Sequence, residues 1–334
     1  MELNKVYNID FLNNDLPNKC AKLIIADPPY YKTKGEFDFI WKKFEDYLID
    51  VEKWCLECKR ILADNGTLFW YGESKNIAYA QIIFDKHFNL INNLTWNKGS
   101  FMGLEESKGL RSFAPCTERI LMYDNAVDKT GLQEINNNQT LYKPIRDYFL
   151  EQKKNCKYTF KQINEECFGS ASNGGGMASN ILTSYKDGWT FPTKEKYEAL
   201  QKIGLCPKPY EELKNEYEEL KNEYEELKNE YEELRRPFNN RFNLQEILNY
   251  SNEAVKVGNK YDHDTVKPET LTRALILTCT RENDLVIVPF SGSGTECAMS
   301  AKEKRPFIGY EITKKHADMS QERANKILSE PKMF

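Results

Sequence analysis

Two stretches carry residue types whose spacing could do chemistry. Residues 22–31 read "KLIIADPPYY": large apolar residues, then a carboxylate, two prolines and two tyrosines. An apolar run of this length fits a buried strand, and the prolines cannot continue it because neither donates a ladder hydrogen bond. Asp27 therefore stands at a strand end, with the rigid Pro28-Pro29 turn and the ring of Tyr30 behind it. Residues 284–296 read "DLVIVPFSGSGTE", an apolar strand that runs through Pro289, Phe290 and Ser291 into Gly292, Ser293 and Gly294 before Thr295 opens a helix. Such a loop lets backbone approach a ligand closely and aims helix N–H groups at it. The next strand ends in Glu311, 17 residues after Gly294, near the spacing at which an acid meets ribose hydroxyls. Together these features point to a nucleoside-containing cofactor. The plainer alternative is a glycine turn with an exposed glutamate.

The elements that must position these residues lie at the two ends of the chain. Near the N-terminus "KVYNI", "KLIIA" and "TLFWYG" read as strands, with "FEDYLIDVEKWCLECKRIL" as the helix between the last two. Near the C-terminus "DLVIVPF" and "RPFIGYEI" flank the helix "TECAMSAKEK". Strands alternating with helices imply an α/β fold with a largely parallel, doubly wound sheet. Residues from about 125 to 250 differ. They are polar and irregular, and "GSASNGGGMASN" must be loop.

Within that middle lies "YEELKNEYEELKNEYEELKNEYEEL", a seven-residue unit with Tyr210, Tyr217, Tyr224 and Tyr231 at one position and Leu213, Leu220, Leu227 and Leu234 three later. This is an a/d stripe on a helix. Lys at e and Glu at g allow attractive pairs in a homodimer, while the alternative is an arm that packs its stripe on its own chain. The segment also explains the charge. Residues 210–236 hold eleven Glu against three Lys and two Arg, a net of −6, so the remainder carries +2 of the total −4. An acidic overall balance therefore does not exclude a nucleic-acid partner.

At 334 residues with 40% hydrophobic content, the chain suffices for about two domains with a sizeable core. No stretch approaches a membrane span, and "MELNKVYNID" lacks the basic and apolar regions of a signal peptide. The expectation is a cytoplasmic protein with no membrane association. Nine cysteines include one close pair, Cys55 and Cys58, in a helical pattern; without a second pair to complete a zinc site they read as packed, reduced thiols, and no metal is expected.

"ADPPY", "HDTVKPETL" (residues 263–271) and "PFSGSGT" together resemble the amino-group DNA methyltransferases that use S-adenosylmethionine. The catalytic tetrapeptide comes first and the cofactor loop last, which resembles the permuted β group. The resemblance implies a Rossmann-like, circularly permuted domain split into a catalytic half (1–124) and a cofactor-binding half (251–334), with an inserted target-recognition region (125–250) that includes the heptad arm. It implies transfer of a methyl group to the N6 amine of an adenine rotated out of double-stranded DNA, with N4 of cytosine as the nearest alternative. It leaves room for a cognate restriction endonuclease as partner. A catalytically silent DNA-binding or coiled-coil scaffold is the rival from another class.

Residue by residue, the resemblance makes Asp27, Pro28, Pro29 and Tyr30 the catalytic group: the Asp27 carboxylate and Pro28 carbonyl accept the two amine hydrogens, and Tyr30 stacks on the extruded base. It gives cofactor contacts to Asp10, Asp27, Thr265, Lys267, Pro268, the segment Pro289, Phe290, Ser291, Gly292, Ser293, Gly294 and Thr295, and Glu311. Lys32 and Lys34 beside Tyr30, Trp96 and Lys98 in "LTWNKG", and Arg111 in "GSFMGLEESKGLRSF" are the candidates for substrate contact. In the middle, Lys143, Arg146, Lys153, Lys154, Lys157 and Lys161 interleave with Tyr142, Tyr148, Phe149 and Tyr158, a mixture suited to phosphate and base contacts. Two positions depart from the family: Val288 and Asn97 stand where relatives carry Asp.

Overall fold

The computed structural model describes residues 1–32, 36–99, 109–113, 115–125, 142–169, 176–183, 189, 191–251 and 266–330. Lys34 and Thr265 lie outside them. The chain divides into two compact units, one formed by Met1–Val127 and Arg235–Phe334 and the other by Asp128–Leu234.

The first unit begins with β1 (Lys5–Tyr7), β2 (Ala21–Ala26), α1 (Phe44–Ile61), β3 (Leu62–Gly72), α2 (Ile77–Phe84), β4 (Phe88–Asn97) and β5 (Thr117–Asn125). Helix α1 forms where Tyr47, Val51, Trp54, Cys55, Cys58 and Ile61 make one buried stripe; Glu45 and Asp46 in its first turn and Lys59 and Arg60 in its last suit the helix dipole. Cys55 and Cys58 are free and buried in this stripe, and burial pushes the Cys55 thiol up to about 12. Strand β2 is almost wholly buried, as expected of a strand covered on both faces.

The second unit is helical: α3 (Lys143–Lys154), α4 (Phe160–Phe168), α5 (Gly176–Leu182), α6 (Lys194–Lys202) and α7 (Tyr210–Leu234); the last five residues of "GSASNGGGMASN", read from sequence as loop, open α5 instead. A capping box between Thr159 and Gln162 starts α4, and Gly169 in the left-handed conformation ends it. Its core contains Ile145, Phe149, Ile163, Leu182, Tyr197, Leu200 and Leu213. Tyr210, Tyr217 and Leu220 pack against that core, so the first half of the heptad stripe is taken up within its own unit. Leu234, at the far end, is 67% exposed. Three of the four aromatics read from sequence as base contacts serve this core: Phe149 is buried, the Tyr148 hydroxyl is 3.0 Å from that of Tyr197, and Tyr142 stacks on Tyr217 at 5.0 Å, while Tyr158 is exposed.

The chain then returns to the first unit through β6 (Ile247–Asn249), α8 (Glu269–Cys279), β7 (Val286–Val288), α9 (Thr295–Lys302), β8 (Phe307–Tyr310) and α10 (Lys314–Ser329). Residues 235–250, grouped with the middle region from sequence, belong here. Arg236 lies 3.7 Å from the buried Asp124, and β6 pairs in parallel with β4.

The sheet order is β1-β8-β7-β2-β3-β5-β4-β6. The first five strands are mutually parallel, β5 runs antiparallel to β3 and β4, and β6 is parallel to β4. Separate clusters cover the two faces, one around Trp54, Trp70 and Phe84, the other around Phe69, Trp96 and Leu275. Because β2 and β7 are neighbours in register Leu23↔Val286 and Ile24↔Ile287, the two chemistry-bearing stretches leave the same edge of the sheet side by side. Among the described residues no helix is long and apolar enough to cross a membrane.

Candidate active site

Asp27 directly follows β2, where the prolines end strand pairing. The turn behind it is held from two sides: the Tyr30 N–H donates to Asp38 Oδ1 at 2.7 Å, and Asn76 Nδ2 donates to the Tyr30 carbonyl at 2.9 Å. Tyr31 and Lys32 both have positive φ, 65° and 54°, so the chain reverses immediately after Tyr30. Tyr31 faces inward against Phe44 and Tyr47.

The Asp27 carboxylate accepts at both oxygens, from the Tyr30 hydroxyl at Oδ1 and from Lys267 Nζ at Oδ2, the latter at 2.7 Å. Lys267 precedes α8, which opens with Pro268 as its N-cap. Its ammonium also lies 3.4 Å from Glu118 Oε2, and Glu118 Oε1 accepts from Lys98 Nζ at 2.9 Å. The result is an alternating row, Lys98, Glu118, Lys267, Asp27, with Lys267 only 4% exposed at its side chain. Burial raises the Asp27 pKa, opposed by the Lys267 charge and assisted by Glu118. Burial also works to raise Glu118 and to lower Lys267, but here the opposite charges win: Glu118 falls below and Lys267 rises above its ordinary value. Tyr30 is held neutral by burial and by Asp27 and Glu118. The rings of Tyr71, Tyr30 and Trp96 surround the ammonium at 5.1, 5.6 and 5.8 Å, a cation–π cage.

The glycine loop folds against this row. Ser291 N–H donates to the Tyr310 carbonyl at 2.8 Å, and the Gly294 N–H donates to the Ser291 carbonyl at 2.7 Å, closing the turn. Gly292 (φ 45°) donates its N–H to Glu311 Oε2 at 3.0 Å, while Glu311 Oε1 accepts from the Thr313 N–H at 2.9 Å. Thr295 Oγ1 donates to the Lys267 carbonyl at 3.3 Å, and Arg323 of α10 reaches Ser293 O at 3.1 Å and Thr295 Oγ1 at 2.9 Å. Gly294 has φ 78°, and a Cβ there would lie 2.6 Å from the Ser320 Cα. That glycine is therefore required by helix packing as well as by the turn.

Other residues singled out from sequence are distributed differently. Phe290 is a core aromatic packed on Trp54 at 5.0 Å, with Pro289 before it on the strand exit. Asp10 caps a short 3₁₀ turn by accepting from the Leu12 N–H. Trp96 is 1% exposed and donates its indole N–H to the Tyr250 carbonyl at 2.8 Å; it is a core residue, not a face open to a base. Lys98 is held by Glu118. Lys32 lies 4.9 Å over the Tyr31 ring, and Arg111 is exposed. Sequence reading missed Glu118, Tyr71 and Glu296. The available signal was a lone acid in an otherwise apolar strand or helix, "TERILMY" and "TECAMS", whose burial demands a partner.

Among the described residues, three polar atoms near the loop and Asp27 are buried with no hydrogen-bond partner: Ser291 Oγ, Tyr71 OH and Glu296 Oε1. They suit a polar ligand seated between the loop and Asp27. Among the described residues no cluster of His, Cys, Asp and Glu could hold a metal ion.

The fold and the edge together define a Rossmann-like cofactor-binding domain with an acid–proline–aromatic turn beside its glycine loop. Residues 21–322 match the N6/N4 DNA methylase family, and the chain belongs to that family. It is similar to the type II methyltransferase M.HinfI of Haemophilus influenzae, with 24% identity over 95% of this chain and 66% of that protein. It is also similar to the DNA adenine methyltransferase YhdJ of Escherichia coli K12, with 24% identity over 92% of this chain and 77% of that one. The chain thus spans just under two thirds of the length of M.HinfI. Among solved structures, TTHA0409 of Thermus thermophilus, a candidate DNA modification methylase, shares the fold at a TM-score of 0.50 with 14% identity, covering 97% of this chain and 95% of that one.

Proposed function

We propose that this chain transfers a methyl group from S-adenosylmethionine to the exocyclic amine of a base in duplex DNA, the N6 amine of adenine. One observation carries the reading: β2 and β7 pair in parallel, so the Asp27 turn and the glycine loop leave one sheet edge side by side. The orphaned polar atoms Ser291 Oγ, Tyr71 OH and Glu296 Oε1 supply a polar lining for the cofactor between them. To Glu311, tied to the Gly292 N–H, the reading assigns the ribose hydroxyls.

When bound, S-adenosylmethionine supplies an electrophilic methyl whose bond to sulfur breaks, leaving a neutral thioether, as the bond to nitrogen forms. An exocyclic amine is a poor nucleophile because its lone pair is delocalised into the ring. The Asp27 carboxylate and Pro28 carbonyl accept its two hydrogens, which favours a tetrahedral nitrogen with the lone pair directed outward. Pro29 has no N–H to compete for that carbonyl. Tyr30 stacks on the base after it has left the duplex, and Asp27 conveys the surplus proton toward solvent. Tyr30 and Lys267 each take one acceptor site on the two Asp27 oxygens, which leaves lone pairs for the amine. Positioning and electrostatics, not a covalent enzyme intermediate, lower the barrier.

Adenine is favoured over cytosine because the motif begins with Asp27 and because a similar protein, YhdJ, is named for adenine. The reading implies a cytoplasmic enzyme whose partner is DNA. Incubation with DNA and tritiated S-adenosylmethionine, followed by nucleoside analysis, tests it. N6-methyladenine supports it, N4-methylcytosine corrects the base, and absence of label rejects it.

A further inference from the structure

Among the described residues, four carboxylates lie near the end of β2 and the glycine loop, and three accept from protein donors at both oxygens. Asp27 accepts from Tyr30 and Lys267, Glu118 from Lys98 and Lys267, and Glu311 from the backbone of Gly292 and Thr313. The fourth is Glu296, the second residue of α9, immediately behind the loop. It is 4% exposed, yet among the described residues its Oε1 has no hydrogen-bond partner. Leaving a buried carboxylate oxygen unpaired is costly, and the strand leading into the loop, Val286, Ile287 and Val288, is apolar and fully buried. Nothing on that strand shares the task of binding a cation.

We propose that Glu296 receives the α-ammonium of the methionine part of S-adenosylmethionine. The inference rests on the methyl-transfer reading above. An ammonium fits the site better than the sulfonium does, because an orphaned acceptor needs a donor and the sulfonium has no N–H to give. The charged and titratable groups facing Glu296 come from every neighbouring element: Asp27 after β2, Lys267 before α8, Arg323 on α10, Tyr71 on β3 and Cys297 beside it. Burial and the nearby Asp27 raise the Glu296 pKa to about 7, with a hydrogen bond from its own backbone, Lys267 and Arg323 opposing. A cationic ligand favours the ionised form, so affinity should rise as pH rises toward and past neutrality.

The test is calorimetric titration of wild type, Glu296→Gln and Glu296→Asp with S-adenosylmethionine, S-adenosylhomocysteine and 5′-methylthioadenosine at pH 6.0 and 7.5. The homocysteine product keeps the ammonium and loses the sulfonium; methylthioadenosine lacks the amino-acid end. Glu296→Gln should weaken the first two ligands about tenfold or more at pH 7.5, by loss of a charge-assisted hydrogen bond, and leave methylthioadenosine within twofold. Glu296→Asp, which keeps the charge on a shorter arm, should fall between. The wild-type advantage over Glu296→Gln should shrink at pH 6.0, and since the ligand's own amine titrates alike in both proteins, that ratio isolates Glu296. Equal loss for all three ligands, or none for any, overturns the assignment. A wild type that binds none of them overturns the methyl-transfer reading and this inference with it.

Discussion

Lys267 Nζ stands 2.7 Å from Asp27 Oδ2, and the same ammonium is 3.4 Å from Glu118. The lysine is nearly inaccessible, so it acts on the carboxylate of the Asp27 turn and not at the surface. Replacing it with methionine leaves Glu118 paired with Lys98 but Asp27 with only the neutral Tyr30 hydroxyl, and an uncompensated buried carboxylate costs about 3–5 kcal/mol. It also removes the charge that opposes the burial of Asp27, so the acid limb of the methyl-transfer pH profile should move to higher pH. A Lys267→Met protein with wild-type melting temperature and an unmoved acid limb would show that the pair is incidental.

Asp27→Ala separates chemistry from binding. Loss of the carboxylate removes an interaction needed at the reacting amine, so turnover should fall by about 10²–10³-fold or more. Cofactor affinity should stay within a few-fold, because the glycine loop, Glu311 and Glu296 remain. Single-turnover label transfer and calorimetry on the same preparation separate the two; retention of most turnover would remove Asp27 from its role.

The two loop glycines should behave differently. Gly294→Ala places a Cβ 2.6 Å from Ser320 in a residue at φ 78°, so it should lower thermal stability even without any ligand, by at least the ~1–2 kcal/mol cost of a left-handed non-glycine residue. Gly292 is also left-handed, at φ 45°, so Gly292→Val should carry a ligand-free strain cost too, and in addition its side chain should weaken S-adenosylmethionine binding at the loop. Melting curves with and without cofactor separate the two effects; a Gly292→Val protein stabilised by cofactor as much as wild type would contradict the assignment.

Glu296 predicts a pH-dependent stability in the ligand-free protein. Its folded pKa of about 7 lies above the ordinary 4.5, so the native state holds the proton more tightly than the unfolded chain. Stability from this group is therefore greatest below pH 4.5 and declines as pH climbs to 7, by about 3 kcal/mol at 1.36 kcal/mol per unit. Glu296→Gln should abolish that part of the decline and be the more stable protein at pH 8. Denaturant titrations of both proteins at pH 5.5 and 8.0 give the difference directly; a variant less stable at pH 8 would count against it.

The heptad arm can be cut in or out of register. Removing residues 217–223 brings Tyr224 and Leu227 into the positions of Tyr217 and Leu220 and preserves the stripe. Removing residues 217–220 turns the following stripe by roughly 40° and sets Lys221 where Tyr217 stacks on Phe191 at 4.7 Å. The shorter deletion should therefore lower the melting temperature more than the longer one. Equal melting temperatures and equal mass by light scattering would mean the register carries no contact.

Much of the site was legible because it is local. "DPPY" dictates its own turn, "GSG" its own loop, and strand–helix alternation implies the parallel sheet, since each depends on backbone restrictions of neighbouring residues. Roles that depend on what arrives from elsewhere were not legible. Trp96 has the same composition whether it faces a base or the core, and it is β6, returning from far along the chain, that supplies the Tyr250 carbonyl to its indole. The aromatics of α3 could have served nucleic acid, but the helices packed around them use them as a core.

Sequence alone determined the five mutually parallel strands, the motif order and the heptad stripe, because apolar periodicity and proline and glycine chemistry act over a few residues. Only the tertiary structure decided that β2 and β7 are neighbours, that Lys267 neutralises Asp27 and that Glu296 is buried with an oxygen unpaired. Burial and ion pairing are properties of what surrounds a side chain, and for these residues the surroundings come from opposite ends of the chain.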